Sequence, residues 1–253
     1  MTIALVVPWR GGDPDRERAW IWLSTWWAKA WPDWDLVMGQ APDGPWCKAA
    51  ALADALGRTD ADTLVVADAD VYVPAGIGQA VDLVSQRRTA WAMPHLRVYR
   101  LTQAGTGRLM ATGQLPPPTR VDPARGAWPA GERMVAESHK GQIGGGCVVL
   151  PRALYDQVPM DPRFLGWGNE DAAWGRALTV LAGAPPWRAS EPLWHLWHSP
   201  PARVSADAPP GHSRINRACG NLAGLELYRR YRARSTPAEM TALLDEFRTE
   251  QPR

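Results

Sequence analysis

The chain has 253 residues, 45% of them hydrophobic and 21% charged, with a formal net charge of +2. That length suits one large α/β domain or two small ones, and nothing in so balanced a charge argues for a nucleic-acid coat or a membrane-surface protein. Cys47, Cys147 and Cys219 form an odd set with no C-x-x-C spacing, which argues against a disulfide framework or a cysteine zinc site and for a reduced, cytoplasmic setting.

The apolar run over 3–7 predicts a first core strand. It is too short for a signal peptide and lacks the basic flank of one, and Pro8-Trp9-Arg10 follows it. Trp20, Leu23, Trp27 and Trp31 recur at spacings of three and four, which predicts a helix over 16–30 that Pro32 ends. A short strand over 35–38 follows, then an alanine-rich helix over 46–56 with Gly57 as its C-cap. The run Thr63-Leu64-Val65-Val66-Ala67 predicts a buried strand, 74–84 a helix and 89–93 another strand. Such alternation predicts a mostly parallel sheet flanked by helices, with ligands bound beyond the carboxyl ends of its strands.

Residues 103–140 are rich in Gly and Pro and weakly periodic, which predicts an irregular lid of which at least part moves. Gly144-Gly145-Gly146 then leads into a strand over 147–150. A loop over 164–171, a helix over 171–181, a strand-like stretch over 187–197 and closing helices over 212–234 and 237–248 complete the chain. The basic run at 228–234 reads as a solvated helix face. No apolar stretch approaches the ~20 residues of a membrane span. With no repeat and no clear linker, one domain over 1–253 is expected. The 15 Trp against 2 Phe imply that many indoles fill the core in place of Phe, while a few suit stacking on a sugar ring or a base.

Three constellations carry chemistry. Asp68-Ala69-Asp70 ends the 63–67 strand, where unpaired carboxylates are costly. Side chains at i and i+2 of an extended segment point the same way, so both acids can face one hard divalent cation. A simple turn is the ordinary alternative. Gly166-Trp167-Gly168-Asn169-Glu170-Asp171 fixes an indole in a tight loop and places two acids at a helix start. There they either cap the helix or act on a hydroxyl, one as general base and the other as a grip. Trp194-His195-Leu196-Trp197-His198 offers two imidazoles for a Mn²⁺-type ion alongside carboxylates. A metallohydrolase would use the same ligands, so the metal alone does not name the reaction.

Taken in order, these motifs resemble a GT-A fold glycosyltransferase, similar to family 2 enzymes and to the β-1,4-galactosyltransferase group with its Gly-Trp-Gly-Gly-Glu-Asp motif. The resemblance spans roughly residues 1 to 200. It implies a Rossmann-like α/β fold with a nucleotide-sugar half over 1–100, a lid over 101–140, an acceptor half over 141–211 and C-terminal helices over 212–253. It also implies that Pro8, Trp9, Arg10, Lys48 and Asp68 meet the nucleotide and its phosphates. Asp70 and His195 would hold Mn²⁺ or Mg²⁺ with Asp68 beside them, and His198 is either a second metal candidate or a diphosphate contact. Gly144, Gly145 and Gly146 would line the sugar pocket, Trp167 would pack on the sugars, Asp171 would be the base and Glu170 the acceptor-binding acid. Asn169 stands where the galactosyltransferase form has Gly.

The expected function is inverting, metal-dependent transfer from a nucleotide-diphospho-sugar, with a UDP-sugar as the expected donor. The acceptor expected is a saccharide or lipid-linked saccharide, ahead of a modified nucleic-acid base or a protein. A nucleotidyltransferase and a non-catalytic nucleotide- or sugar-binding domain stay open as alternatives.

Overall fold

A computed structural model describes residues 2–115, 134–199 and 222–249. The first part alternates β1 (Ile3–Trp9), α1 (Pro14–Ala30), β2 (Asp35–Gln40), α2 (Lys48–Leu56) and β3 (Thr63–Ala67). After it come β4 (Val71–Tyr72), α3 (Ile77–Ser85), β5 (Ala92–Met93), β6 (Arg97–Leu101), α4 (Gln103–Thr112) and β7 (Val135–Lys140). Next are β8 (Cys147–Pro151), α5 (Arg152–Gln157), α6 (Glu170–Leu181), β9 (Trp187–Arg188) and β10 (Pro192–His195), and then α7 (Leu222–Ala233) and α8 (Pro237–Thr249).

The central sheet has the order β2-β1-β3-β8-β5-β9. β1 pairs in parallel with both β2 and β3, and β5 with β9, while β8 alone runs antiparallel to its neighbours. This is the α/β class with a mostly parallel sheet that the alternation predicts. The strands are apolar on both faces because both faces are covered. Ala4, Val6, Leu64 and Val66 pack under α2, α6, α7 and α8. Leu5, Val7, Val65 and Ala67 pack on α1, α3 and the second sheet. Leu64 is fully buried, so Leu64→Ala would cost about 2–5 kcal/mol through the cavity it leaves.

The second sheet, β4-β10-β6-β7, positions the site. β10 pairs antiparallel with β4, setting His195 opposite Val71, and parallel with β6. β7 pairs with β6. This corrects the expectation of an irregular stretch over 103–140. Residues Gln103–Thr112 form α4, capped by Thr102, whose hydroxyl accepts from the Gly105 N–H at 2.9 Å, and Val135–Lys140 form a strand. The remainder of that lid, 116–133, lies outside the described residues, as do Cys219 and the 212–221 part of the predicted closing helix.

Smaller differences have local causes. The strand-like stretch over 187–197 is two short strands, because β9 belongs to the central sheet and β10 to the second. The strands Val71–Tyr72 and Arg97–Leu101 and the helix Arg152–Gln157 were too short to give a periodic signal. The tryptophan excess is partly explained by the core: Trp91 and Trp174 are buried, and their indole N–H groups donate to Ala184 O at 3.2 Å and Val158 O at 2.8 Å. Cys47 and Cys147 are buried free thiols.

Candidate functional site

A cavity of about 450 Å³ opens beyond the carboxyl ends of β1 and β3, between the two sheets and the start of α6. Pro8 and Arg10 line it, but Trp9 does not. Successive strand residues alternate sides, and the Trp9 indole turns instead toward α1, 6.0 Å from Trp20.

The turn after β3 sends its two acids to different partners. Residues 68–70 are not extended: the Val71 N–H bonds back to Asp68 O at 3.3 Å, closing a tight turn. The expectation that Asp68 and Asp70 share one face rested on extended geometry and does not hold. Asp68 pairs with Lys48 at 2.5 Å. Asp70 instead lies 3.2 Å from His198 Nε2, 3.7 Å from His195 Nε2 and 3.4 Å from Arg16 Nε.

Backbone pairing builds this second group. The β4–β10 ladder carries His195 to the turn, the Leu196 N–H donates to Asp70 O at 2.8 Å, and the Trp197 N–H donates to Thr106 Oγ1 at 2.8 Å. Asp70, His195 and His198 each offer one ligand atom, all within 4.8 Å of one another. Among the described residues this group does not include Asp68. Burial would raise the Asp70 pKa, but His195, His198 and Arg16 reverse that and hold it well below the usual carboxylate range. Burial pushes the His195 pKa down to about 4, against the pull of Asp70. An ionised carboxylate with imidazoles suits a Mn²⁺-type ion, and the Arg16 guanidinium already places positive charge against these atoms.

The other end of the cavity is built on Lys48, the first residue of α2. It is only 7% exposed, and its ammonium donates to Asp171 Oδ1 at 2.8 Å as well as pairing with Asp68. Burial would lower the Lys48 pKa, but Asp171 and Asp68 more than offset this and hold it above the ordinary lysine value. For Asp68 burial dominates and raises the pKa to about 6 against the pull of Lys48. Glu170, also 7% exposed, is pushed up to about 7 by burial and then by Asp171, and its Oε2 has no hydrogen-bond partner.

The loop before α6 needs its glycines. Gly166, Gly168 and Asn169 have φ of +80°, +108° and +74°. Asn is the side chain that best tolerates the left-handed region, which accounts for Asn169 in a glycine-rich turn. Trp167 stacks on Trp46, ring centroids 5.5 Å apart, at the cavity wall. Gly144 approaches α6 so closely that a Cβ would lie 2.3 Å from Asp171 O, and one on Gly145 would lie 3.0 Å from Asp171 Oδ2. Gly145 and Gly146 line the cavity.

The structure therefore gathers Pro8, Arg10, Lys48, Asp68, Asp70, Gly145, Gly146, Trp167, Glu170, Asp171, His195 and His198 at one cavity and leaves out Trp9 and Gly144, the latter packed against the α6 backbone. Sequence reasoning missed Arg16, Trp46, Arg100, Glu137 and His139, which also line it. Arg16 sits in the first turn of a helix, where charge is routine. The β6–β7 residues carried no strand signal.

No family model matches the sequence, and no curated protein matches it. Among solved structures it is similar to a Drosophila beta-1,4-galactosyltransferase 7 in complex with manganese, UDP-Gal and xylobiose, with 14% identity over 74% of this chain and a TM-score of 0.40. The chain spans 64% of the length of that protein. It is also similar to the Mycobacterium tuberculosis glucosyl-3-phosphoglycerate synthase in complex with phosphoglyceric acid, at 16% identity, 80% of this chain, 73% of that one and a TM-score of 0.37. The bifunctional IspDF of Campylobacter jejuni matches at 10% identity, 76% of this chain, 50% of that one and a TM-score of 0.33. Likenesses this distant decide nothing about activity.

Proposed function

We propose that this chain is a GT-A-type glycosyltransferase that moves a sugar from a nucleotide-diphospho-sugar, a UDP-sugar in the first instance, to an acceptor hydroxyl with inversion. The observation that carries this reading is the division of one cavity into a metal-type end, Asp70 with His195 and His198, and a carboxylate end, Asp171 and Glu170, joined through Lys48 and Asp68. A diphosphate leaving group and an attacking hydroxyl need those two ends.

Asp70, His195 and His198 would hold Mn²⁺ or Mg²⁺, which when bound neutralises charge on the leaving diphosphate. Arg10 and Pro8 lie where the nucleotide would enter, and Asp68 flanks its ribose and phosphates. Asp171 takes the acceptor O–H proton while that oxygen bonds to the anomeric carbon. The bond from the anomeric carbon to the phosphate oxygen breaks, and the nucleoside diphosphate leaves. Lys48 keeps Asp171 in place from the donor side. Glu170 grips another acceptor hydroxyl, and Trp167 packs on the sugar rings. The acceptor proposed is a saccharide or lipid-linked saccharide.

A nucleotidyltransferase would want free backbone N–H groups after β1 to cradle phosphates. Here the Gly12 N–H donates to Glu17 Oε1 at 2.8 Å, which weighs against that reading. The test is UDP release from a panel of UDP-sugars with saccharide acceptors and Mn²⁺. Turnover that needs both acceptor and Asp171, with UDP binding intact in Asp171→Asn, supports the proposal. Turnover that survives in Asp171→Asn overturns the base assignment.

A further inference from the structure

We infer that Arg16 is a built-in counter-ion of the metal site, holding Asp70 and His198 until a divalent cation arrives with a diphosphate and then passing to the diphosphate, so that cation and nucleotide bind in concert. The inference rests on the metal–diphosphate reading of the cavity.

Its basis is an overlap of atoms. The Arg16 Nε lies 3.4 Å from Asp70 Oδ2, and one terminal nitrogen lies 3.3 Å and 3.2 Å from His198 Nδ1 and Nε2. Asp70 and His198 are two of the three candidate ligands. A dication placed among them would meet a guanidinium at contact range with a single carboxylate to balance both, and like charges at such distances repel strongly in a partly buried site. Arg16 and the bare ion therefore compete. A diphosphate removes the conflict, because its oxygens supply the missing negative charge and match the planar guanidinium fork.

Arg16 is equipped for the exchange. Its Nε is buried and has no hydrogen-bond partner, so donor capacity is in hand. Its guanidinium lies 4.9 Å from the centre of the Trp167 ring, on the cavity side, so a rotation of a long side chain suffices. The backbone need not move: Arg16 is in the first turn of α1, and its N–H is held by the Asp13 cap at 2.9 Å.

The test is Mn²⁺ binding, read by the free-ion signal in electron paramagnetic resonance and by calorimetry, with no ligand, with UMP and with UDP. In the wild-type protein Mn²⁺ alone should bind weakly, and UDP but not UMP should tighten it at least about tenfold, with Mn²⁺ tightening UDP by the same factor. Arg16→Met should bind Mn²⁺ alone roughly tenfold more tightly, about 1.4 kcal/mol, with the gain from UDP shrinking to a few-fold. Arg16→Lys, which keeps the charge and most of the packing, should stay close to wild type for the bare ion. Arg18→Gln removes the same charge from an exposed position on the same helix and should change nothing. If Arg16→Met leaves both quantities at wild-type values, or Arg18→Gln reproduces its effect, the Arg16 role is overturned while the metal site stands. If Mn²⁺ binding with UDP is absent from the wild type, or identical in Asp70→Asn, the metal–diphosphate reading itself fails.

Discussion

Among the described residues, a charge cluster beside the C-terminal helices and the one in the cavity are built on opposite principles. Near the C-terminal helices, Asp161 is 3% exposed and completely served: Tyr231 Oη donates to it at 2.8 Å, Arg163 at 2.8 Å, and Arg163 also donates to Glu246 at 2.7 Å. In the cavity, Lys48 is shared by Asp68 and Asp171, Glu170 Oε2 is buried without a hydrogen-bond partner, and Arg16 Nε faces Asp70 at 3.4 Å without a hydrogen bond of its own. Buried polar groups are costly unless paired. A closed cluster is therefore a structural tie between α7, α8 and the loop after α5. An open one makes sense as a site whose remaining partners arrive from solution.

The largest effect should come from the open cluster, on rate alone. Asp171→Asn removes the proposed base and should lower transfer by about 10²–10⁴-fold, while Lys48 keeps Asp68 and the melting temperature stays within a few degrees. A loss of transfer that follows a loss of fold would erase the contrast. Next is the closed cluster. Asp161→Ala takes one of two carboxylates from Arg163 and the acceptor from the Tyr231 hydroxyl, and should cost about 3 kcal/mol, read as a fall in melting temperature on the order of 10 °C, with nucleotide binding intact below the transition.

A third effect is a pH dependence peculiar to the open cluster. The Glu170 pKa rises on folding from 4.5 to about 7, through burial and then Asp171. The protonated form is the one that folds comfortably. Its contribution is complete below pH 4.5 and is lost as pH rises through about 7. Glu170→Gln should therefore gain on the wild type between pH 5 and pH 8, by at most about 3 kcal/mol, in melts across that range. A flat difference would mean that the Glu170 carboxylate is satisfied after all. The smallest effect is expected where charge is neither buried nor shared. The Arg229–Glu226 pair is exposed on both sides, and Glu226→Gln should alter stability by less than about 0.5 kcal/mol in urea melts.

How much of this the sequence revealed follows from the range of each signal. The strands over 3–7 and 63–67 and the long helices were legible because periodicity is local and both sheet faces are apolar. The two acids at 170 and 171 and the glycine loop before them were legible because a tight left-handed turn at a helix start leaves a compositional mark. What failed depended on conformation at one turn or on distant pairing. Asp68 and Asp70 diverge because 68–70 closes a turn instead of continuing the strand. Trp9 faces α1 because alternation, not proximity to Pro8 and Arg10, fixes its side. Arg16 reaches Asp70 and His198 through tertiary packing, and Gly175 sits in α6 because a Cβ there would lie 2.3 Å from Ile143 O, a contact across 32 residues of sequence.

The most direct measurement of the central claim is calorimetric titration of UDP into the wild-type protein and into Asp70→Asn, each with Mn²⁺ and with chelator. The account predicts that Mn²⁺ tightens UDP at least about tenfold, or 1.4 kcal/mol, in the wild type and that Asp70→Asn abolishes the gain. Equal UDP affinity with and without the ion in the wild type, or no UDP binding at all, would contradict it.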